Sequence, residues 1–361
     1  MTIASEITRI NNNIAAAYTA CNNKGATIPQ TQNSANLANC IGSISTGSTP
    51  TLITKSITAN GTYNASSDSA DGYSSVTVNV SGGGSSKFGL TVDSFIGNVS
   101  NGVLSAPSTI NGITFTGITE IGSQALESLF FYRRLVSGTV SFPSLTTVGY
   151  LGLENAFHGN QITTVDLSAL TTVEDNGLSF TFDENEITSV DLSALTTVGY
   201  YGLYHTFSDN QITSVDLSAL TSVEENGLFE SFYNNQITSV DLSALTTVGY
   251  FGLYYAFYGN QITSVNLPSL TSIDDYGLAY AFGFQVDSEY VTTLTSISFP
   301  ALTSESFGDY DTQFNCMLEN CEDVTVHFPS NLEAVIGDWQ DVLDGFNGIN
   351  TTVLFDLAAT E

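Results

Sequence analysis

The sequence predicts an α/β fold: a right-handed solenoid of about nine turns on a 25-residue period, with parallel strands along one side and short helices or turns along the other. Three observations lead there. The segment ITTVDLSAL begins at Ile162, ITSVDLSAL begins at Ile187, Ile212 and Ile237, and ITSVNLPSL begins at Ile262, a step of 25 residues each time. Within a unit, Val240 and Leu242 are two apart, which is strand spacing, whereas Leu253 and Phe257 are four apart, which is one turn of helix. A unit this short cannot enclose its own apolar face, so the next copy must cover it.

The elements follow in chain order. In 1–46, Ile3, Ile7, Ile10, Ile14, Ala17 and Cys21 form a heptad stripe on a helix. Isoleucine at both core positions favours a trimer, so this helix is the expected seat of self-association; a helix docked on its own chain would carry the same stripe. Leu37, Ile41 and Ile44 suit a second short helix. A small β element is expected in 47–81, a hairpin in which Asn60–Gly61 marks the turn and Val76, Val78 and Val80 alternate on a strand. Residues 82–87 are a Gly/Ser linker and 88–109 lead into the array. The solenoid itself is expected over 110–345, with its inward register at Ile113, Val140, Val165, Val190, Val215, Val240, Val265, Ile297 and Val326. Ile336, Trp339 and Leu343 share a helical face suited to closing the last turn, and 346–361 is a cap or tail.

Composition removes several function classes. The chain has 361 residues, 36 acids against six Lys and Arg, and a net charge of -30. Nothing beyond Arg134 is basic, so the repeats cannot build the positive patch that nucleic acid or an anionic membrane requires. No apolar run is long enough to insert in a membrane. Cys316 and Cys321 are close enough in sequence for a disulfide, with two separate thiols the plainer reading. The three histidines lack metal-ligand spacing, and no nucleophile–base constellation stands out, so no enzyme is expected.

Stacking turns repeated positions into columns. One outward strand column reads Asp166, Asp191, Asp216 and Asp241, like charges one strand apart, flanked by Thr164, Ser189, Ser214, Ser239 and Ser264. Two readings stay open for it: a solubilising face copied by duplication, or a face for a polyol, glycan or weakly bound Ca2+. Tyr200, Tyr204, Tyr250, Tyr254, Tyr255 and Tyr258, together with Tyr150 and Phe251, crowd the opposite side, where they either pack between turns or recognise a ligand; the six tyrosines named first are the candidate site. The four-residue corner alternates GYLG, EDNG, GYYG, EENG, GYFG and DDYG, a super-period of 50 residues.

The motif I-x-x-V-x-L-x-x-L-x-x-V with G-x-x-G-L and Phe, and the pairs Phe142–Pro143, Leu267–Pro268, Phe299–Pro300 and Phe328–Pro329, resemble the BspA-type (Treponema-type) leucine-rich repeat. Where that family often has Gly-Cys, this chain has Gly159–Asn160, Asn234–Asn235 and Gly259–Asn260. The first 80 residues resemble modules at the head of tail-fibre proteins of gut phages. Together the resemblances imply a phage or prophage tail-fibre or receptor-binding component that recognises a host cell-surface glycan or protein. Its expected place is a virion tail assembled in the host cytoplasm, since the start MTIASEITRI lacks the basic and apolar regions of a secretory leader. A cell-surface adhesin is the alternative, and a structural spacer without a ligand the second.

Overall fold

A computed structural model describes residues 110–284, 293–306, 312–333 and 345–359, with the backbone of four strands upstream, Leu52–Ile57, Gly72–Val78, Val99–Ser100 and Val103–Leu104. The chain divides into two units, Met1–Thr51 and Leu52–Glu361. The first, with Ile3, Ile7, Ile10 and Ile14, lies outside the described residues, as do the 82–87 linker, Ile336, Trp339 and Leu343.

The repeats form a parallel β-solenoid. Each inward valine meets its counterpart in the next coil: Ile113 with Val140, Val140 with Val165, Val165 with Val190, Val215 with Val240, Val265 with Ile297, and Ile297 with Val326. The strand ladder is interrupted between Ser189–Asp191 and Ser214–Asp216, and again between Ser239–Asp241 and Ser264–Asn266. Backbone bonds cross both seams nonetheless, Gln211 N–H to the Ile187 carbonyl and Gln261 N–H to that of Ile237, each at 2.9 Å. The ladder also runs further than expected at both ends. Thr352–Leu357 pairs with Thr325–Pro329, and Gly72–Val78 pairs with Ile110–Phe115. Leu52–Ile57 joins Gly72–Val78 in parallel, so this β element is not the expected hairpin but part of the same sheet. The antiparallel pair upstream of the array is Val99–Ser100 with Val103–Leu104.

A second ladder of seven two-residue strands, from Glu120–Ile121 to Ser272–Ile273, lines the next edge of each coil. Among the described residues of coils 149–283 the remaining side carries no helix, which corrects the expectation of a short helix in each unit. It is a run of overlapping turns with two bonding directions. Gly152 N–H bonds the Gly149 carbonyl at 2.8 Å and Ala156 N–H that of Leu153 at 2.9 Å, within the coil. The intervening N–H groups reach the next coil, Leu153 to Gly177 at 2.9 Å and Phe157 to Thr181 at 3.0 Å. Left-handed residues at Leu151, Asn155 and Gly159, with φ of 54°, 56° and 66°, aim these groups sideways, a conformation no right-handed helix contains.

The interior is a set of stacked columns. Phe157, Phe182, Phe207, Phe232, Phe257 and Phe282 lie nearly coplanar-parallel, with successive ring centroids between 5.4 and 5.8 Å apart. Buried leucines such as Leu192, Leu217 and Leu242 line the strand side. At the corner before five successive strands, from Gln161–Asp166 to Ser264–Asn266, sits a buried asparagine. Asn185 Oδ1 accepts the Ile162 N–H at 3.1 Å, while its Nδ2 donates to the carbonyls of Phe182 at 3.0 Å, Asp183 at 3.1 Å and Phe157 at 3.0 Å. Asn160, Asn210, Asn235 and Asn260 hold the same post.

Changing Asn210→Ala leaves the Ile187 N–H and the Phe182 and Ser208 carbonyls without this partner inside the stack. The expected loss is roughly 2–4 kcal/mol, seen as a lowered Tm. Asn210→Asp should not rescue it, since the donors are gone. An unchanged Tm for both would show that the corner is held by the backbone alone.

Candidate binding surface

The turn side presents aromatic rings because its overlapping turns project side chains outward at positions near 154, 155 and 158 of each coil. Ring contacts run from coil to coil: Phe131 to His158 at 5.3 Å, His158 to Phe180 at 6.0 Å, Phe180 to Tyr204 at 4.9 Å, Tyr204 to Phe229 at 5.2 Å, Phe229 to Tyr254 at 4.6 Å, and Tyr254 to Tyr280 at 5.5 Å. Burial, aided by the Glu230 charge, pushes the Tyr204 and Tyr254 phenols above their ordinary range, so both keep the proton.

The six tyrosines singled out by sequence separate into three groups. Tyr200 and Tyr250 are exposed, at 40% and 41%. Tyr204, Tyr254 and Tyr255 are half-buried in the ring ribbon. Tyr258 is buried and donates its hydroxyl to Glu319 Oε2 at 3.1 Å, so it belongs to the packing between coils and offers no surface. Tyr150, which the sequence places on the same crowded side, is exposed at 48%, and Phe131 and Tyr132 are further exposed rings that the sequence reading did not single out. Tyr150 shares the register of Tyr200 and Tyr250, two coils on each time, which the 50-residue super-period already carried.

The aspartate column proves to have local work. Asp166, Asp191, Asp216 and Asp241 each accept the N–H of the serine two residues on, at 3.2, 3.0, 2.9 and 2.9 Å. This is an Asx turn that ends the strand. Serine hydrogen bonds hold Asp216 below the usual carboxylate range. At Asp166 desolvation pulls upward, but bonds from Ser141 and Ser168 outweigh it and the net shift is down. An open depression of about 590 Å³ lies over Asp216, Asp241, Ser239, Ser264 and Asn266. Among the described residues no three His, Cys, Asp or Glu gather closely enough to hold a metal ion.

Each described histidine faces carboxylates. His205 Nε2 is 2.9 Å from Glu230 Oε2, and His327 Nδ1 is 2.9 Å from Asp356 Oδ1. His158 and Asp183 are both buried, with Nε2 3.4 Å from Oδ2. Burial raises the Asp183 carboxyl to about 7, the nearby Asp209 and Glu184 charges adding to it and His205 opposing. Burial likewise lowers His158, despite Glu184. His158 is therefore held in its neutral form, and the Asp183 carboxyl loses its proton only around neutrality. Cys316 and Cys321 are free thiols; burial pushes Cys321 up to about 12, and its Sγ lies 3.2 Å from the Phe282 carbonyl.

Compared with known proteins, the chain matches no family model, no curated protein and no solved structure.

The Asp183 shift has a sign that can be tested. The folded state holds this proton up to about pH 7, whereas the unfolded chain releases it near 3.8. Stability from this group therefore falls as pH rises across that window, by at most about 4 kcal/mol. His158, lowered when folded, acts oppositely up to about its ordinary value of 6.5. Asp183→Asn should thus raise Tm more at pH 8 than at pH 5. An equal gain at both would mean that the carboxyl is already ionised in the fold.

Proposed function

We propose that this chain is a non-enzymatic binding protein, a phage or prophage tail-fibre or receptor-binding component that engages a host cell-surface glycan or protein through its solenoid. The observation that carries this reading is the register of exposed rings: Tyr150, Tyr200 and Tyr250 lie exposed on one edge, Tyr200 and Tyr250 resting edge-on against Tyr201 and Phe251, with a half-buried aromatic ribbon behind them. The three rings recur at one register, two coils apart, so a single extended ligand can meet them in series. Tyrosine supplies contact area at low entropic cost and keeps a hydroxyl for polar ligands. The acidic character of the array repels anionic envelopes, so short-range contact must supply the affinity. The tail-fibre context rests on the resemblance of the N-terminal segment. The repeat resemblance favours a bacterial surface adhesin as second reading, and immunolabelling of virions against cells separates the two.

Binding of the full chain to bacterial cells, titrated for wild type and for Tyr200→Ser with Tyr250→Ser, tests the reading. About a tenfold loss of affinity at unchanged Tm is expected. Tyr204 and Tyr254 are poorer probes, because their rings hold the ribbon together. Sensitivity to EDTA would add a Ca2+ bridge through Asp191 and Asp216 to the mechanism. A wild-type chain that binds no cell type leaves the spacer reading.

Assembly is tested separately by light scattering. If Ile3, Ile7, Ile10 and Ile14 form a shared seam, the full chain is a trimer and deletion of residues 1–22 makes it a monomer. A monomeric full chain at tens of micromolar, a concentration scale at which even modest self-association registers, would reject the seam.

A further inference from the structure

The edge between the second ladder and the turn run carries a column that alternates ring and acid. Tyr150, Tyr200 and Tyr250 are exposed on one set of coils. Glu174–Asp175 and Glu224–Glu225 stand on the coils between them, and Asp274–Asp275 on the coil after Tyr250. A groove of about 320 Å³ opens here, lined among others by Tyr150, Thr172, Glu174, Asp175, Thr197 and Glu224. One carboxylate of the set is fixed in place: Asp175 Oδ1 accepts the Tyr200 N–H at 3.2 Å. The others have no Lys or Arg of their own to answer them, since the sequence has none beyond Arg134.

Each unit of this column joins a tyrosine-bearing coil to the carboxylate pair of the coil after it, which is the chemistry that takes an ammonium or guanidinium group. The unit repeats every two coils, or about 9.6 Å at the spacing of adjacent strands. A polyproline-type chain advances about 3.1 Å per residue with three residues per turn, so its every third side chain falls on one edge about 9.3 Å apart. A β-strand would turn alternate members of such a series away.

We propose that the tyrosine–carboxylate column from Tyr150 to Asp275 is a docking site for an extended, cationic polypeptide segment of polyproline type, bearing Lys or Arg at every third residue. The proposal deepens the binding reading above by naming the partner chemistry, and rests on that reading only in taking this edge as a recognition surface. The charge of the array favours such a partner at long range, and the repeated units multiply weak single contacts.

The experiment uses the full chain and purified fluorescent peptides, with no cells, so that failure to bind a host and failure of this proposal are separate results. Peptides built of Lys-Pro-Pro repeats are compared, by anisotropy at low and moderate salt, with peptides of the same composition whose lysines are clustered, and with chitosan oligomers. The phased peptide is expected to bind about tenfold tighter than the clustered one. Tyr200→Ser with Tyr250→Ser should abolish that preference at unchanged Tm. Asp175→Asn with Glu225→Gln should weaken binding and flatten its salt dependence, the amide oxygens still able to accept the bonds that Asp175 takes from Tyr200 N–H and Glu225 from Asn226. Equal binding of phased and clustered peptides would reduce the effect to general attraction for a polyanion and overturn the proposal. So would absence of binding at low salt, or tighter binding of chitosan, which would assign the edge to an amine-bearing polysaccharide.

Discussion

Every coil must offer its backbone groups to the next at one fixed offset, and the rest of the molecule follows from that rule. Buried N–H and C=O groups need partners, and a coil this small can satisfy only part of them within itself. The strand ladders and the sideways N–H groups of the turn run supply the remainder, as in the bond from Leu203 to Gly227 at 2.9 Å. The corner is the weak point, because the chain changes direction there and neither bonding pattern fits. An asparagine solves it: its amide carries both a donor and an acceptor, so one side chain ties its own corner to the coil before it. Asn235 does this with the Ile212 N–H at 3.0 Å and the Phe207 carbonyl at 2.8 Å. A one-residue insertion in a unit would break the strands, the turn bonds and this corner together, which accounts for the unvarying 25-residue step through the central coils.

The strand register was legible in the sequence because burial leaves little choice at an inward position; Val165, Val190, Val215 and Val240 are one residue type for one reason. The helix was misread for a physical reason. A run of turns with a left-handed residue every fourth position, as at Leu151, Asn155 and Gly159, also sets side chains four apart on one face. Leu253 and Phe257 therefore face the core just as they would on a helix. Composition separated the two cases: the stretch Gly249–Tyr258 holds two glycines and six aromatics, poor material for an isolated helix. The asparagines at the corner were visible as a repeated turn residue. Their burial was not, since nothing local distinguishes an exposed turn asparagine from one that bonds across coils.

The surface was legible in outline only. A column of aspartates reads as repulsion until the serine two residues later is seen to bond each carboxylate, as Ser193 bonds Asp191 through its hydroxyl at 2.7 Å. Each carboxylate thereby gains donors that offset part of the repulsion between Asp166 and Asp191, which stand opposite each other in the ladder. Tyrosines carry the converse difficulty. Sequence shows how many there are but not which lie between coils, and Tyr258 differs from Tyr250 only in its place along the turn run.

That the surface repeats every 50 residues while the backbone repeats every 25 has a steric basis. A Cβ at Gly199 would come within 2.9 Å of Asp175 Oδ1, and one at Gly249 within 2.9 Å of the Glu224 carbonyl carbon and the Glu225 nitrogen. The acidic coil thus sits on the following Gly-Tyr coil through the gap that the missing side chain leaves. Duplicating single units would set acid against acid or put a side chain where the glycine gap is needed; duplicating pairs keeps each acid beside its glycine. The exposed tyrosine next to that glycine is carried along at the same double step. The spacing of the outward chemistry is therefore inherited from a packing constraint inside the stack, and any ligand that reads this edge must match two coils, not one.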